Sequence, residues 1–353
     1  MGLSKLQIRD FRNLVDVEIK PSPGLNWFIG ENGAGKTSIL EAIVVLARGR
    51  SFRTSNRAAL IRHRQDHSDI VAHLDDSDRV LGVRRAAGHW QGRIAGRDSR
   101  RISEFARLLP LILIEPGDHG LIEGGPDQRR RFLDWLLFHV EPDYLTLWQR
   151  YARLLKQRNA ALKSGASDSV CRAIEAPMAT AGEAITQMRA QIVARLEEAL
   201  PGLSERLAIR LPGSVELKLR SGHGDDESLQ HLWDQRRILD RERGHTTRGP
   251  HRADLALVCG GRSASDSLSR GQQKLLAILL QMAHLVLLDQ EDARQPMLLL
   301  DDPVSELDQS HLSGLLGWLG TTPFQCWITA VALPPGAQGQ VFHVEQGKVS
   351  RVV

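Results

Sequence analysis

Gly30-Glu31-Asn32-Gly33-Ala34-Gly35-Lys36-Thr37 is the stretch on which the fold turns. It satisfies the spacing GxxxxGK[ST], for which a chance match in a chain of this length has odds of about 1% at average residue usage. Before it, Leu25 to Ile29 is a short apolar run with the make-up of a buried strand. After it, Thr37 to Leu46 has the length and composition of a helix packed against a sheet. Strand, glycine-rich loop and helix together make a phosphate-binding loop. Its glycines let the backbone curl so that N–H groups and the helix N-terminus converge on an anion. Lys36 would reach the β- and γ-phosphates and the Thr37 hydroxyl would join the shell of a Mg²⁺ ion. Gly30 to Thr37, with Ser38 behind them, are the candidate nucleotide contacts.

Such a loop needs a carboxylate at the end of another buried strand to help hold magnesium. Met297-Leu298-Leu299-Leu300-Asp301-Asp302 supplies it, with Asp301 on the metal side and Asp302 placed to orient the attacking water. Lys36, Asp301 and Asp302 are therefore the expected catalytic residues, and Thr37 with Asp301 the expected magnesium ligands. Phe324 to Thr329 reads as a further buried strand. Strands from both ends of the chain should then share one α/β sheet, with whatever lies between them inserted.

Working outward, Ser4 to Ile8 and Leu14 to Ile19 alternate as strands, and Ile61 to Ile94 reads as a β meander. From Pro126 the texture becomes helical, over Arg131 to Val140, Pro142 to Leu162 and Ala176 to Leu200. Tyr144, Leu147, Trp148, Tyr151, Leu154 and Leu155 fall at spacings of three and four, a core stripe rather than a base-stacking platform. Ser269 should cap an apolar helix from Gly271 to about Leu288, and a charged loop at Asp289 to Arg294 follows. The expected organisation is 1–117 for the first part of the nucleotide domain, 118–245 for a mainly helical insertion and 246–353 for the second part.

With 353 residues, 42% hydrophobic and 25% charged, the chain has ordinary globular composition, which excludes disordered and fibrous classes. No run of 18 uncharged apolar residues stands out, so no membrane span is expected. Cys171, Cys259 and Cys326 form no CxxC pair, so they are expected to be small buried side chains in a reducing, cytoplasmic setting. The net charge of +4 says little, but its distribution says more. Between Arg79 and Arg107 eight arginines face two acids, and Arg129, Arg130 and Arg131 are consecutive. Arginine-rich surfaces suit polyanions, so Arg84, Arg85 and Arg129 to Arg131 are candidate phosphate contacts.

Further motifs narrow the class. Ser267-Leu268-Ser269-Arg270-Gly271-Gln272-Gln273-Lys274 resembles the ABC signature, with Arg270 in place of its first glycine. Ser305-Glu306-Leu307-Asp308 follows the aspartate pair as a D-loop does, and Thr329 occupies the place of a switch histidine. The strings LQIRDFRNL, FIGENGAGKTSILEAI, RSFR at Arg50 to Arg53, EPGDHGLIEGGPDQRRRFLD, TTRGPHRADL, DSLSRGQQKLL and LLLDDPVSELD resemble the RecF family of SMC-like ABC ATPases. The likeness runs nearly end to end.

The resemblance implies an α/β ABC-type P-loop ATPase head with a mixed sheet, an inserted mainly helical domain and no long coiled coil. It also implies ATP and Mg²⁺ as ligands, with Arg12 and Asn13 approaching the nucleotide. Ser269, Arg270, Gly271 and Gln272 would meet the γ-phosphate from the second copy of an ATP-dependent homodimer. The implied partners are single- and double-stranded DNA at gapped junctions, RecO and RecR, and the loading of RecA, with roles in fork recovery and the SOS response. Asp302 stands where ABC ATPases place glutamate, and a shorter carboxylate positions water less well, so a slow, DNA-stimulated switch is expected. A full SMC protein is excluded by length, because no heptad arms fit. The nucleotide-binding subunit of a transporter is opposed by Arg270, by the GPHRADL string and by the helical insertion. A P-loop kinase would not need a signature segment.

Overall fold

The computed structural model describes residues 2–75, 79–86, 88–117, 120–224, 227–290 and 295–352. The chain opens with β1 (Leu3–Phe11), β2 (Leu14–Ile19) and β3 (Leu25–Ile29), then α1 (Lys36–Arg48). β4 (His67–Leu74), β5 (Val80–Ala86), β6 (His89–Ile94), β7 (Arg97–Ser99), α2 (Ile102–Leu108) and β8 (Leu111–Ile114) follow. Next come the helices α3 (Gly120–Glu123), α4 (Pro126–Val140), α5 (Tyr144–Lys163) and α6 (Asp168–Arg206). Beyond them lie β9 (Val215–Arg220), α7 (Leu229–Arg243), β10 (Asp254–Cys259), β11 (Arg262–Ser263), α8 (Ala264–Ser267) and α9 (Arg270–Gln290). The chain closes with β12 (Met297–Leu300), α10 (Pro303–Glu306), α11 (Gln309–Leu319), β13 (Cys326–Ala330), β14 (Gln340–Glu345) and β15 (Lys348–Val352).

Two compact units result, one of Met1–Asp118, Ser204–Ile209 and Leu288–Val353, the other of His119–Leu203 and Arg210–Leu287. The first contains two six-stranded sheets. One is antiparallel throughout, in the order β2-β1-β4-β5-β6-β7, which includes the expected meander. The other runs β15-β14-β3-β13-β12-β8, parallel except for the edge strand β15. It joins β3 near one end of the sequence to β12–β15 near the other, as the two apolar runs around the motifs require.

α1 touches strands of both sheets. Ser38 to Ala47 are all buried, so this helix is apolar nearly all round because it has no solvent face. Across the parallel sheet Phe28 stacks between Trp327 and Phe342, with ring centroids 5.1 and 5.0 Å away. The buried amide of Gln325 accepts from Leu3 N–H at 2.8 Å and donates to Leu3 C=O at 2.9 Å, tying the two sheets together.

The second unit is mainly helical but includes the three-stranded sheet β11-β10-β9. The expected boundary at 245 falls inside it, because β10 pairs with β9 along its whole length and α9 carries its apolar face in the same unit. Its interior also holds charge. Arg158 donates to Glu175 at 2.9 Å and to Asp240 at 2.7 Å, and all three are fully buried. Tyr144 and Tyr151 are core residues, as their helical spacing suggests.

Two local expectations change. α9 extends to Gln290, so the first part of the expected charged loop is helical, and residues 291–294 lie outside the described ones. α9 is also long and apolar enough to cross a membrane by length and composition, but 67% of its most apolar window is buried inside the protein, as in a core helix. The three cysteines are buried and free.

Candidate functional site

The phosphate-binding loop connects β3 to α1. Gly30 has φ +156°, and a Cβ there would lie 2.1 Å from the Val344 carbonyl oxygen, so only glycine fits. Gly35, the residue before α1, has φ +120° and no side chain to cap the helix. The first N–H groups of a helix of 13 residues are thereby left to an incoming anion. Lys36 is nearly buried, and its ammonium donates to the carbonyls of Gly30 at 2.6 Å and Glu31 at 2.9 Å. Burial pushes its pKa below the ordinary value, and the charges of Asp302 and Asp301 oppose that shift.

The carboxylate pair follows β12. Thr37 Oγ1 donates to Asp301 Oδ1 at 2.9 Å, so the two expected magnesium ligands are already neighbours. Thr329, from the adjacent strand β13, donates to the same Asp301 oxygen at 2.7 Å and accepts the N–H of Asp302 at 2.8 Å. This threonine is fully buried, and its hydroxyl is engaged with the aspartate pair. Asp302 has φ +47°, a left-handed conformation that aspartate tolerates better than most residues.

The hairpin turn between β1 and β2 clasps the loop from outside. Asn13 donates to the Gly33 carbonyl at 3.1 Å and accepts from the Ser38 hydroxyl at 2.9 Å. Arg12, itself at φ +55°, grips Glu41 of α1 with two hydrogen bonds. Arg12, Asn13, Asn32, Lys36, Thr37, Ser38, Arg53, Asp301, Asp302 and Thr329 all line one cleft of about 630 Å³. Glu41 carries no role in the sequence reading, and Arg53 stands there only in the RSFR string. For Glu41 the signal is an acid inside the apolar run Thr37 to Leu46, and its partners lie elsewhere in the chain.

Other expected residues sit apart from this cleft. Asp308 caps α11, accepting from the His311 N–H at 3.0 Å and the Ser310 hydroxyl at 2.7 Å; these bonds and the His311 ring hold its pKa well below the ordinary carboxylate range. In the second unit Ser269 and Gln272 form a reciprocal capping box at the start of α9. Ser269, Arg270 and Gly271 are exposed there.

The arginine candidates divide. Arg85 is 4% exposed and donates to the Gly49 carbonyl, so it is a structural residue and not a phosphate contact. Arg84 is held by Asp69 through two hydrogen bonds. Arg129 is held by Asp254 in the same way, and Arg130 by Asp127 and the Ala253 carbonyl. The reason is shared: each guanidinium has a carboxylate or carbonyl within reach that sequence spacing does not reveal. Arg131 is exposed.

The donor set fits a magnesium nucleotide. Magnesium takes few protein oxygens and fills its shell with phosphate and water. Thr37 and Asp301 offer two hard oxygens beside the anion-binding loop. Among the described residues no cluster of three His, Cys, Asp or Glu could hold a metal without such a ligand.

The family described as RecF/RecN/SMC N terminal domain matches residues 2–337. The "DNA replication and repair protein RecF" of Xanthomonas axonopodis pv. citri (strain 306) is 40% identical over 99% of both chains. That of Stenotrophomonas maltophilia (strain R551-3) is 38% identical over the full length of both. A solved structure of the recombination mediator protein RecF with ATP, from the RecFOR pathway, shares the fold with a TM-score of 0.87 at 24% identity, over 100% of this chain and 98% of that one. An Smc head domain from Pyrococcus furiosus gives a TM-score of 0.59 at 16% identity, over 99% of this chain and 96% of that one. Matched by that family description over residues 2–337, and 40% identical to a named member over 99% of both chains, this chain belongs to the RecF family of SMC-like ABC ATPases.

Proposed function

We propose that this chain is an ATP-controlled DNA-binding protein of recombinational repair, a slow ATPase that acts as a switch. One observation carries the reading: Lys36, Thr37, Asp301 and Asp302 share a single cleft, with the Thr37 hydroxyl 2.9 Å from Asp301. The ATP named with a solved relative fits the same reading.

Lys36 would exchange its carbonyl partners for the β- and γ-phosphates, and the open N–H groups of α1 would receive the remaining phosphate oxygens. Thr37 and Asp301 would hold Mg²⁺, which when bound neutralises charge developing on the phosphates. Asp302 would orient the attacking water from a backbone conformation that fixes its direction. Turnover is expected well below the median enzyme rate of roughly 10 s⁻¹. DNA should accelerate it.

Ser269 and the N-terminus of α9 would close over the γ-phosphate bound to a second copy, so hydrolysis would remove the ligand that both copies share. DNA would be held by its phosphates at gaps and duplex junctions. RecO and RecR would be the partners in loading RecA, a reading supported by the RecFOR pathway named with the solved relatives. The setting would be cytoplasmic, with fork recovery and the SOS response downstream.

Mg-ATP binding and hydrolysis by the purified chain, with and without gapped duplex, test this. Lys36→Ala should abolish tight binding, and Asp302→Asn should retain ATP while losing turnover. A fast ATPase indifferent to DNA would overturn the switch.

A further inference from the structure

Glu41 is the one fully buried carboxylate on α1, set among Ile39, Leu40, Ala42 and Ile43. A carboxylate in such surroundings is costly unless its oxygens are paired, and here both are. Arg12 donates from Nε to Oε2 at 2.9 Å and from Nη2 to Oε1 at 2.6 Å. Ser51 donates its hydroxyl to Oε1, and the Arg53 guanidinium lies 3.7 Å from Oε2. Three side chains from two separate segments thus converge on one acid that cannot move without unpacking the helix.

Both arginines also line the nucleotide cleft, beside Lys36 and Thr37. A guanidinium carries five N–H donors in a rigid fork. Glu41 engages two of those on Arg12 along one edge, which leaves donors on the opposite edges for another anion. Arg12 is fixed at its backbone as well, in a left-handed conformation with its N–H bonded to the Leu60 carbonyl at 3.0 Å. On the other side, Ser51 Oγ accepts the N–H groups of Arg53 at 2.9 Å and Thr54 at 3.1 Å. Glu41 therefore sets the backbone that carries Arg53 through Ser51, and touches the Arg53 guanidinium directly.

We infer that Glu41 is a positioning residue for the nucleotide: from inside α1 it fixes Arg12 and Arg53 at the wall of the cleft, so that a phosphate-bearing ligand meets cations already in place. Its charge is exceeded by the two guanidiniums it holds, so the cluster attracts an anion instead of repelling it. Because α1 is also the helix whose N-terminus receives phosphate, one rigid element aligns both sets of donors. Pre-arranging side chains in this way strengthens binding by removing the cost of ordering them.

The inference rests on the nucleotide reading above, and the test separates the two. Mg-ATP binding to the full chain is measured by calorimetry for wild type, Lys36→Ala, Arg12→Ala, Glu41→Gln and the double variant Arg12→Ala/Glu41→Gln. Glu41→Gln is expected to weaken binding about tenfold or more, the scale seen when outer partners of a site are removed. In the Arg12→Ala background the same change should cost no more than about a third of that factor on a logarithmic scale, because the larger part of its route is gone. Wild-type affinity in Glu41→Gln, or losses that multiply fully in the double variant, would overturn the inference while leaving the site intact. If wild type fails to bind Mg-ATP, or Lys36→Ala binds as well as wild type, the nucleotide reading itself falls and the inference with it. Should Glu41→Gln fail to fold, Ser51→Ala decides: it should reproduce the loss of Arg53→Ala, and wild-type affinity in Ser51→Ala would overturn the inference.

Discussion

Thr329 donates its hydroxyl proton to Asp301 at 2.7 Å while the same oxygen accepts the main-chain N–H of Asp302 at 2.8 Å. One buried hydroxyl thus sets both carboxylates of the pair, the first by its side chain and the second by its backbone. Thr329→Val keeps the volume and loses both bonds, leaving a buried N–H unsatisfied at a cost of about 1–3 kcal/mol. Hydrolysis should fall about tenfold or more, as when one outer partner of a site is lost, with ATP affinity little changed. Thr329→Ser should restore most of it. Steady-state turnover and ATP binding measured on both variants check this.

Asp302 holds φ +47°, and its side chain makes no cap bond to the short helix that follows. The left-handed region costs a side-chain-bearing residue about 1–2 kcal/mol, less for Asp and Asn, and nothing for Gly. Asp302→Asn should therefore be about as stable as wild type in urea unfolding. Asp302→Ala should lose about 1 kcal/mol against Asp302→Asn, and Asp302→Gly should not. All three should lose hydrolysis, since each removes the carboxylate.

His284 on α9 is buried and stacked on Phe132, with ring centroids 3.8 Å apart. Burial, helped by the charge of His139, pushes its pKa from 6.5 down to about 3. Between these values the unfolded chain binds a proton that the folded chain refuses, so stability falls as pH drops through that window. His251, pushed down to about 4 chiefly by burial, adds to the same trend. Thermal melting of wild type should drop between pH 6.5 and 4, and His284→Phe should show a shallower drop while retaining the part due to His251. An equal pH slope in both proteins would contradict this.

Arg129 and Arg131 are two residues apart and should behave oppositely. Arg129 bonds both oxygens of Asp254 at 2.7 and 3.1 Å, so Arg129→Ala should destabilise by on the order of 1–3 kcal/mol. Arg131 is exposed, and Arg131→Ala should leave stability within about 0.5 kcal/mol. If it meets DNA phosphate, its loss should weaken DNA binding and reduce the salt slope by about 1. Binding titrations at several salt concentrations, together with urea unfolding, separate the two roles.

Much of the cleft was legible because its chemistry is local. The glycines, Lys36 and Thr37 stand side by side, and the apolar run before Asp301 announces a buried strand. Ser269 as the cap of α9 was legible for the same reason. What could not be read depends on partners distant in sequence. Thr329 reaches Asp301 from 28 positions away, and Glu41 meets Arg12 from 29. Arg85 looked like a cationic surface because alternation along β5, not composition, decides which of Arg84 and Arg85 faces the core. The boundary expected at 245 lies inside the second unit because β10, paired to β9, and most of α9 join its helices, and strand pairing over that distance leaves no local mark.

In the proposed cycle, nucleotide makes a two-copy clamp through the exposed start of α9. Sedimentation of the full chain with Mg-ATP, with and without gapped duplex, tests it directly beside Ser269→Arg. The clamp requires ATP-dependent dimers that bind the duplex, and a variant that binds ATP yet stays monomeric. A wild type that remains monomeric with ATP, or a variant that dimerises equally well, would contradict it.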